Sequence, residues 1–387
     1  KARQDRYAFS SMTDVTHMSL ALRLATKGLG RTGANPMVGA VVVKNGQVIG
    51  QGYHHAIGEP HAEVHALAHA GEKARGSSLY VTLEPCVHEN KRTSPCVPTI
   101  ISSGVARVIV AMTDPNPAVN GKGIHALRQA GLNVTDGVCR AQASRLNRPF
   151  IKLATTGRPY VTLKISSTLD GKIAAANGES RWITSIPARR YVHRLRSRVD
   201  AVLVGIGTIL MDDPSLTVRL PGENRHQPHR VIIDSQLRIP LEANAIGAYQ
   251  GVRILIACAT SNQTKKGVLE KKGVEIIEVS NGHGRVSFPL LMAHLGQMGF
   301  AHIMIEGGSH INASALEARI VDHVLLMTAP MFLGGHGARS LLEGSTQSTL
   351  ADRIMLTDLH VRHIGPDLII EGRPDSDTPP PSTVNHV

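Results

Sequence analysis

Pro60-His61-Ala62-Glu63-Val64-His65-Ala66-Leu67-Ala68-His69-Ala70 is the stretch whose reading decides the fold of the first half of the chain. Proline is favoured in the first turn of a helix, so a helix is predicted over His61–Ala70. On its N-terminal side, Ala40–Val43 reads as a buried strand, followed by Lys44-Asn45-Gly46 and a second strand, Gln47–Gly50. Asn-Gly between two such runs signals a hairpin. On its C-terminal side follow the strand Leu79–Thr82, a short helix Val97–Ser103 closed by Gly104, and the strand Arg107–Ala111. Strands alternating with helices point to an α/β domain.

Around Leu146–Pro159 this pattern breaks. Asn147-Arg148-Pro149 and Thr155–Pro159 carry turn residues, and a new strand, Tyr160–Ile165, starts directly afterwards. The second half repeats strand–turn–helix units: Ala201–Val204 into Gly205-Ile206-Gly207-Thr208, Val231–Ile233 into Asp234-Ser235, Arg253–Ala257, and His302–Ile305 into Glu306-Gly307-Gly308. The expected organisation is a polar N-terminal fringe over 1–11, a first domain over 12–150, a second over 158–372, and a disordered Pro-, Ser-, Thr- and Asp-rich tail over 373–387.

Composition agrees with two domains: 387 residues exceed one ordinary hydrophobic core. With 42% apolar and 19% charged residues the chain is foldable rather than disordered. No apolar run approaches the roughly 20 residues of a membrane span, and residues 1–11 lack the apolar core of a secretory signal, so a cytoplasmic protein is expected. Four cysteines are too few for a disulfide scaffold at this length. The net charge of +12 favours anionic partners. A nucleic-acid binder would interleave aromatics with clustered cations, whereas aromatics are 3% and the basic residues are scattered. The charge therefore reads as a solvated face with local pockets for phosphate.

The strongest chemical signal is His61-Ala62-Glu63 followed by Pro85-Cys86 and Cys96. One imidazole and two thiolates make a three-ligand zinc site with a fourth position for water. The metal lowers the pKa of that water, and Glu63, not itself a ligand, would carry its proton to the substrate's ring nitrogen and departing amine. Cys96 opening the next helix would favour its thiolate. A metalloprotease would need His-Glu-x-x-His, with the glutamate directly after the first histidine; here Glu63 stands at i+2 and the cysteines would go unused. A structural zinc would need a fourth protein ligand, with His88 or Glu89 as candidates, and would leave Glu63 without a role. In the second half, Gly205-Ile206-Gly207-Thr208 and Glu306-Gly307-Gly308-Ser309, the latter before a helix predicted over Asn312–Ala318, suit backbone approach to an anion. Neither is a full G-x-G-x-x-G fingerprint, and a glycine turn is commonly only a turn.

Taken together, the sequence resembles the fused deaminase–reductase family of riboflavin biosynthesis. The resemblance rests on Asn35-Pro36-Met37-Val38-Gly39-Ala40, the helix stretch at 61–67, Thr82-Leu83-Glu84-Pro85-Cys86, Arg92-Thr93 and Asp114-Pro115-Asn116-Pro117. It continues through Leu169-Asp170-Gly171-Lys172, Gly178-Glu179-Ser180, Trp182-Ile183-Thr184, Asp213-Pro214-Ser215-Leu216-Thr217 and Glu306-Gly307-Gly308. Nine residues separate Cys86 from Cys96, where the family commonly has eight, which bears on the pose of Lys91 and Arg92.

The resemblance implies a cytidine-deaminase-like α/β/α domain followed by a dihydrofolate-reductase-like α/β domain. The first would hydrolyse an amino group from a diamino-ribosylaminopyrimidinone 5′-phosphate with one zinc ion per chain, and the second would reduce the ribosyl group to ribityl with NADPH. It further implies that Asn35 contacts the substrate and that Lys91 or Arg92 holds its phosphate. For NADPH it implies Ser166, Trp182, Thr208, Asp212, Ser235 and the run Gly308, Ser309, His310, Ile311, Asn312, Ala313 and Ser314. For the sugar phosphate it implies Ser180, Arg196, Leu216, Arg219 and Glu306, the two arginines because a guanidinium fork matches phosphate oxygens. Lys164 and Asp212 are both candidates for the reductase proton donor. The expected partners are a small phosphorylated pyrimidine and further copies of the chain in a homo-oligomer, with no nucleic acid and no membrane. The alternative from another class is a zinc deaminase acting on nucleic-acid bases, with an accessory domain.

Overall fold

Val41, Val42 and Val43 carry β-branched side chains that suit a pleated strand, and they form the middle of strand β1 (Gly39–Lys44). Asn45 and Gly46 both adopt positive φ, 53° and 77°, the geometry of the two-residue turns that match strand twist. The turn leads into β2 (Gln47–Tyr53). The computed structural model describes residues 12–87, 94–117, 119–221, 226–260, 262–344, 350 and 353–375. The chain divides into two units, Lys1–Gly157 and Arg158–Val387.

In the first unit, β3 (Ser78–Val81), β4 (Arg107–Val110) and β5 (Asn133–Asp136) complete a sheet of order β2-β1-β3-β4-β5. Its β2/β1 and β1/β3 contacts are antiparallel, and the remaining two are parallel. Helix α1 (Met12–Ala25) buries Met18, Ala21, Leu24 and Ala25 in the core. Helix α2 (Ala62–Ala70) lies against the hairpin at close range: a Cβ on Gly50 would stand 2.2 Å from the Ala66 carbonyl, and one on Gly52 2.4 Å from that of Ala62. Only glycine permits this approach. Helices α3 (Cys96–Ser102), α4 (Lys122–Gln129), α5 (Arg140–Leu146) and α6 (Arg148–Thr156) follow.

Two local readings shift. Helix α2 starts at Ala62, with His61 extended as its N-cap residue and Pro60 outside the helix. The segment 148–156, read as a break in the pattern, is helical. Pro149 sits in its first turn, where a missing N–H costs nothing, and Gly157 ends it at φ 68°.

Glu84, just after β3, braces this unit. It is 3% exposed, and its carboxylate accepts the backbone N–H groups of Asp114 (3.0 Å), Gly121 (2.9 Å), Gly123 (2.8 Å) and Ile124 (3.1 Å). These donors belong to a loop and to the start of α4, where no ladder serves them. Glu84→Ala would leave them unpaired, at a cost of about 3–5 kcal/mol to this unit. Hydrogen exchange at the Gly121, Gly123 and Ile124 amides measures it; protection lowered by less than about 1 kcal/mol would contradict the bracing role.

The second unit is built on β6 (Tyr160–Thr168), β8 (Ala201–Gly205), β9 (His229–Ile233), β10 (Ile254–Cys258), β11 (Val274–Glu278), β12 (His302–Ile305) and β13 (His323–Ala329). A short β7 (Lys172–Ala174) pairs with β14 (Arg339–Ser340), while β15 (Leu356–Ile364) and β16 (Asp367–Pro374) extend the main sheet. The order is β11-β10-β9-β8-β12-β6-β13-β16-β15, parallel through β13 and antiparallel beyond it. Parallel strands covered on both faces read as unbroken apolar runs. Leu203 and Val231 enter one core cluster, whereas Val202, Val204 and Ile232 enter the other. The helices are α7 (Ile186–Arg196), α8 (Ile206–Asp212), α9 (Gln263–Lys271), α10 (Phe288–Gln297) and α11 (Ser309–Glu317). The last begins three residues before the predicted Asn312. Among the described residues no helix is long and apolar enough to cross a membrane.

Candidate active sites

In the first unit, the extended backbone of His61 (φ −74°, ψ 165°) takes its imidazole off the helical face and toward the cysteines. Its Nδ1 lies 3.2 Å from Cys96 Sγ and 3.5 Å from Cys86 Sγ. All three donor atoms fall within 4.8 Å of one another, and they form the single such group found among the described residues. A tetrahedral ion with bonds of about 2.0–2.3 Å spaces such ligands roughly 3.6–3.8 Å apart, so the set fits zinc. Hydrogen bonding from Cys96 holds the Cys86 thiol down to about 4, while Cys86 and burial push Cys96 up. A divalent cation is the partner that lets both sulfurs ionise. Cys96 is the first residue of α3, one position before the expected start at Val97, and so opens that helix.

Glu63, in the first turn of α2, is 3% exposed. Burial pushes its carboxyl above the ordinary range, partly opposed by His61, and it interacts with the Cys96 thiol. His65 does not join the metal-ligating group; its ring stacks on His55 at 4.3 Å. Asn35 reaches the same place through His54, with Nδ2 3.5 Å from His54 Nε2, and the His54 ring meets that of His61 edge-on at 5.5 Å. His54 is buried, a neighbour the sequence reading missed; its only signal was a histidine directly after β2. Lys91, Arg92, His88 and Glu89 lie outside the described residues.

In the second unit, the carboxyl ends of β8, β9 and β12 open onto a cavity of about 1100 Å³. Ligands of open α/β sheets bind in this position. Lys164 and Ser166 on β6 line it, and the Ser166 hydroxyl is buried without a partner. Ser180, Trp182, Thr208 and Asp212 form a second stretch of wall, where the Ser180 hydroxyl donates to Asp212 Oδ1 at 3.1 Å. Trp182 is 63% exposed, with the Arg189 guanidinium 4.3 Å from its ring centre, and is not a core anchor. Leu216, Arg219 and Ser235 also line the cavity, as do Glu306, Gly308, Ser309, His310, Ile311 and Ser314. Asn312 and Ala313 do not. Helix α11 turns both inward, and Asn312 is fully buried with its amide donating to the Leu341 carbonyl at 3.0 Å.

Arg196 also lines the cavity, where its fork grips Glu306 at 2.6 and 3.1 Å and donates to the Thr217 carbonyl at 3.1 Å. A buried carboxylate needs a counter-charge, and Arg196 supplies it. Burial alone would raise Glu306, but Arg196 and Lys164 outweigh it and hold the carboxyl below its ordinary range. Lys164 Nζ lies 3.9 Å from Glu306, and burial pulls its ammonium below the usual lysine range, partly offset by that carboxylate. Arg219 is exposed, and among the described residues its guanidinium makes a single 3.4 Å contact, to the Thr217 hydroxyl, so it is the better placed of the two for an anion.

Residues 159–370 match the family described as the RibD C-terminal domain, and residues 11–112 match the cytidine and deoxycytidylate deaminase zinc-binding region. The riboflavin biosynthesis protein RibD of Aquifex aeolicus is 43% identical over 363 residues, covering 92% of this chain and 97% of its own. That of Escherichia coli is 41% identical over 370 residues, covering 93% and 99%. Among solved structures, RibD of Acinetobacter baumannii superposes with a TM-score of 0.84 at 37% identity, over 94% of this chain and 99% of that one. A diaminohydroxyphosphoribosylaminopyrimidine deaminase/5-amino-6-(5-phosphoribosylamino)uracil reductase of Thermotoga maritima gives 0.79 at 33%, with the same coverage.

Proposed function

This chain belongs to the deaminase–reductase family of riboflavin biosynthesis, and on that premise we propose that it performs both steps on one phosphorylated pyrimidine. The Lys1–Gly157 unit hydrolyses the 2-amino group of 2,5-diamino-6-ribosylamino-4(3H)-pyrimidinone 5′-phosphate. The Arg158–Val387 unit then reduces the ribosyl group to ribityl. The observation that carries the reading is the convergence of His61 Nδ1, Cys86 Sγ and Cys96 Sγ beside the buried Glu63.

His61, Cys86 and Cys96 would hold zinc, which when bound acts as a Lewis acid that brings the pKa of water toward neutrality. Glu63 takes one proton from the attacking water and gives it to the ring nitrogen, then takes the remaining proton of the hydroxyl so added and gives it to the departing amine, so that a carbonyl forms, water is consumed and ammonia leaves. A carboxyl raised by burial above the ordinary carboxylate range is suited to both directions of transfer. Asn35 presents its amide to the pyrimidine, and Lys91 or Arg92 takes the phosphate.

In the second unit NADPH supplies the hydride, and the chain orients donor and acceptor and supplies a proton. We assign that proton to Lys164 rather than Asp212. Burial makes the Lys164 ammonium a stronger acid, whereas Asp212 is occupied by Ser180. Lys164 protonates the ribose ring oxygen as its bond to C1′ opens, and C1′ receives the hydride. Glu306, fixed by Arg196, orients the sugar, while Arg219 and Ser180 face its phosphate. Thr208, Ser166, Trp182, Ser235 and the loop from Gly308 accommodate the dinucleotide.

We further propose a homo-oligomer, supported by β15, which ends the sheet as an edge and exposes Leu359 and Val361. Four free cysteines suit a reducing, cytoplasmic setting. Product masses, followed with and without NADPH, test the two activities separately.

A further inference from the structure

We infer that the end of the second unit's cavity walled by Arg238, His283 and Arg285 binds the additional ribose phosphate of a phosphorylated dinucleotide, and thereby sets the use of NADPH over NADH. The inference rests on the reductase reading above and deepens it by naming the residues that choose the cofactor.

Two separate pieces of backbone build this wall. The first is the turn after β9. Asp234 is fully buried there; its Oδ2 accepts the Ile239 N–H at 2.8 Å, and its carbonyl accepts that of Leu237 at 3.1 Å. Leu237 takes a φ of 52°, and the turn so fixed turns Ser235, Gln236 and Arg238 to the cavity. The second is the hairpin after β11, closed by the Ser280–Val286 bridge. Asn281 Oδ1 accepts the N–H groups of His283 (2.8 Å) and Arg285 (3.2 Å), and Gly282 and Gly284 supply the positive φ the hairpin needs. The Ser235 hydroxyl accepts the Val286 N–H at 3.2 Å and ties the two pieces together. Arg238, His283 and Arg285 thus line one cavity from two braced loops.

Their electrostatic state differs from that of Arg196 in the same cavity. Arg196 is saturated by Glu306, whereas none of Arg238, His283 and Arg285 makes an ion pair among the described residues. Cations directed at a cavity and unmatched by carboxylates suit a phosphate dianion, which two guanidinium groups can neutralise. A site for the unphosphorylated ribose would place a carboxylate against its hydroxyl groups. The nearby carboxylate, Asp234, is fully buried, holds the turn through Oδ2 and does not line the cavity.

The strand order gives the direction along which a dinucleotide would lie. Sheet neighbours β6, β12, β8 and β9 carry, in that order, Lys164, Gly308 after β12, Thr208 after β8, and Ser235. Three strand spacings of about 4.8 Å separate β6 from β9, roughly 14 Å. With the reacting ring at Lys164, the diphosphate passes Gly308 and Thr208, and the far ribose arrives at Ser235 beside Arg238.

The test compares NADPH and NADH in steady-state reduction by the full-length chain, unaltered and as Arg238→Gln, Arg285→Gln and the double variant. The double variant is expected to lower kcat/KM for NADPH about 10- to 100-fold, mainly through KM, while kcat/KM for NADH moves by less than about threefold. Calorimetric binding of adenosine 2′,5′-bisphosphate should weaken in parallel, that of 5′-AMP should not, and Arg238→Lys should recover part of the loss. An unchanged NADPH-to-NADH ratio, or equal losses for both, overturns the inference while leaving the reductase reading in place. Absence of NADPH turnover in the unaltered chain overturns the reading, and the inference with it.

Discussion

Glu63→Ala is expected to lower deaminase kcat by about four orders of magnitude while zinc content and NADPH-dependent reduction stay at the level of the unaltered chain. Glu63 is not among the three converging donor atoms, so its removal leaves the ligand set in place. What disappears is the carboxylate proposed to take a proton from water and return one to the leaving amine. Burial raises the Glu63 carboxyl above the ordinary carboxylate range, the direction that suits a group that both takes and returns a proton. Glu63→Gln keeps the volume and removes the titration, so it separates chemistry from packing. Ammonia release, elemental zinc and reductase turnover on already deaminated substrate read the three properties independently. Deaminase turnover retained in either variant would mean that the metal centre is structural.

Lys164→Met is expected to lower reductase kcat by about two to four orders of magnitude, with deamination untouched. Methionine preserves most of the buried stem on β6 and deletes the proton. Glu306 then keeps Arg196 as its counter-charge, gripped at 2.6 Å, so the carboxylate does not become an unpaired buried charge. Asp212→Asn should cost less, because it leaves Lys164 in place. The two variants are compared by NADPH oxidation on deaminated substrate at saturating cofactor. A larger loss at Asp212 than at Lys164 would move the proton donor to Asp212.

Legibility in the sequence followed how local the signal was. The zinc ligands and Glu63 could be read because their spacing encodes a known geometry, and the hairpin because Asn45-Gly46 can form only a few turns. The strands near 40–43, 201–204 and 302–305 showed as apolar runs, and the structure lengthens most of them by a residue or two. What stayed hidden was relational. Nothing in the sequence says that Arg196 spends its fork on Glu306, since the two stand 110 positions apart. In the sequence Glu84 shows only as part of a motif, and its four backbone partners come from a loop and the start of α4 some 30 to 40 residues later. Helix α6 was read as a break because Pro149 resembles a turn residue, although proline in a first turn is permitted. Asn312 and Ala313 were assigned to the cofactor as part of a continuous run, but one face of a helix must pack on its own sheet.

The most direct test of the central claim is to incubate the protein with 2,5-diamino-6-ribosylamino-4(3H)-pyrimidinone 5′-phosphate and follow product masses, first without and then with NADPH. The two-site account predicts replacement of one amino group by oxygen without cofactor, and a further gain of two hydrogens once NADPH is added. An unchanged substrate mass in zinc-loaded protein, with or without NADPH, would contradict it.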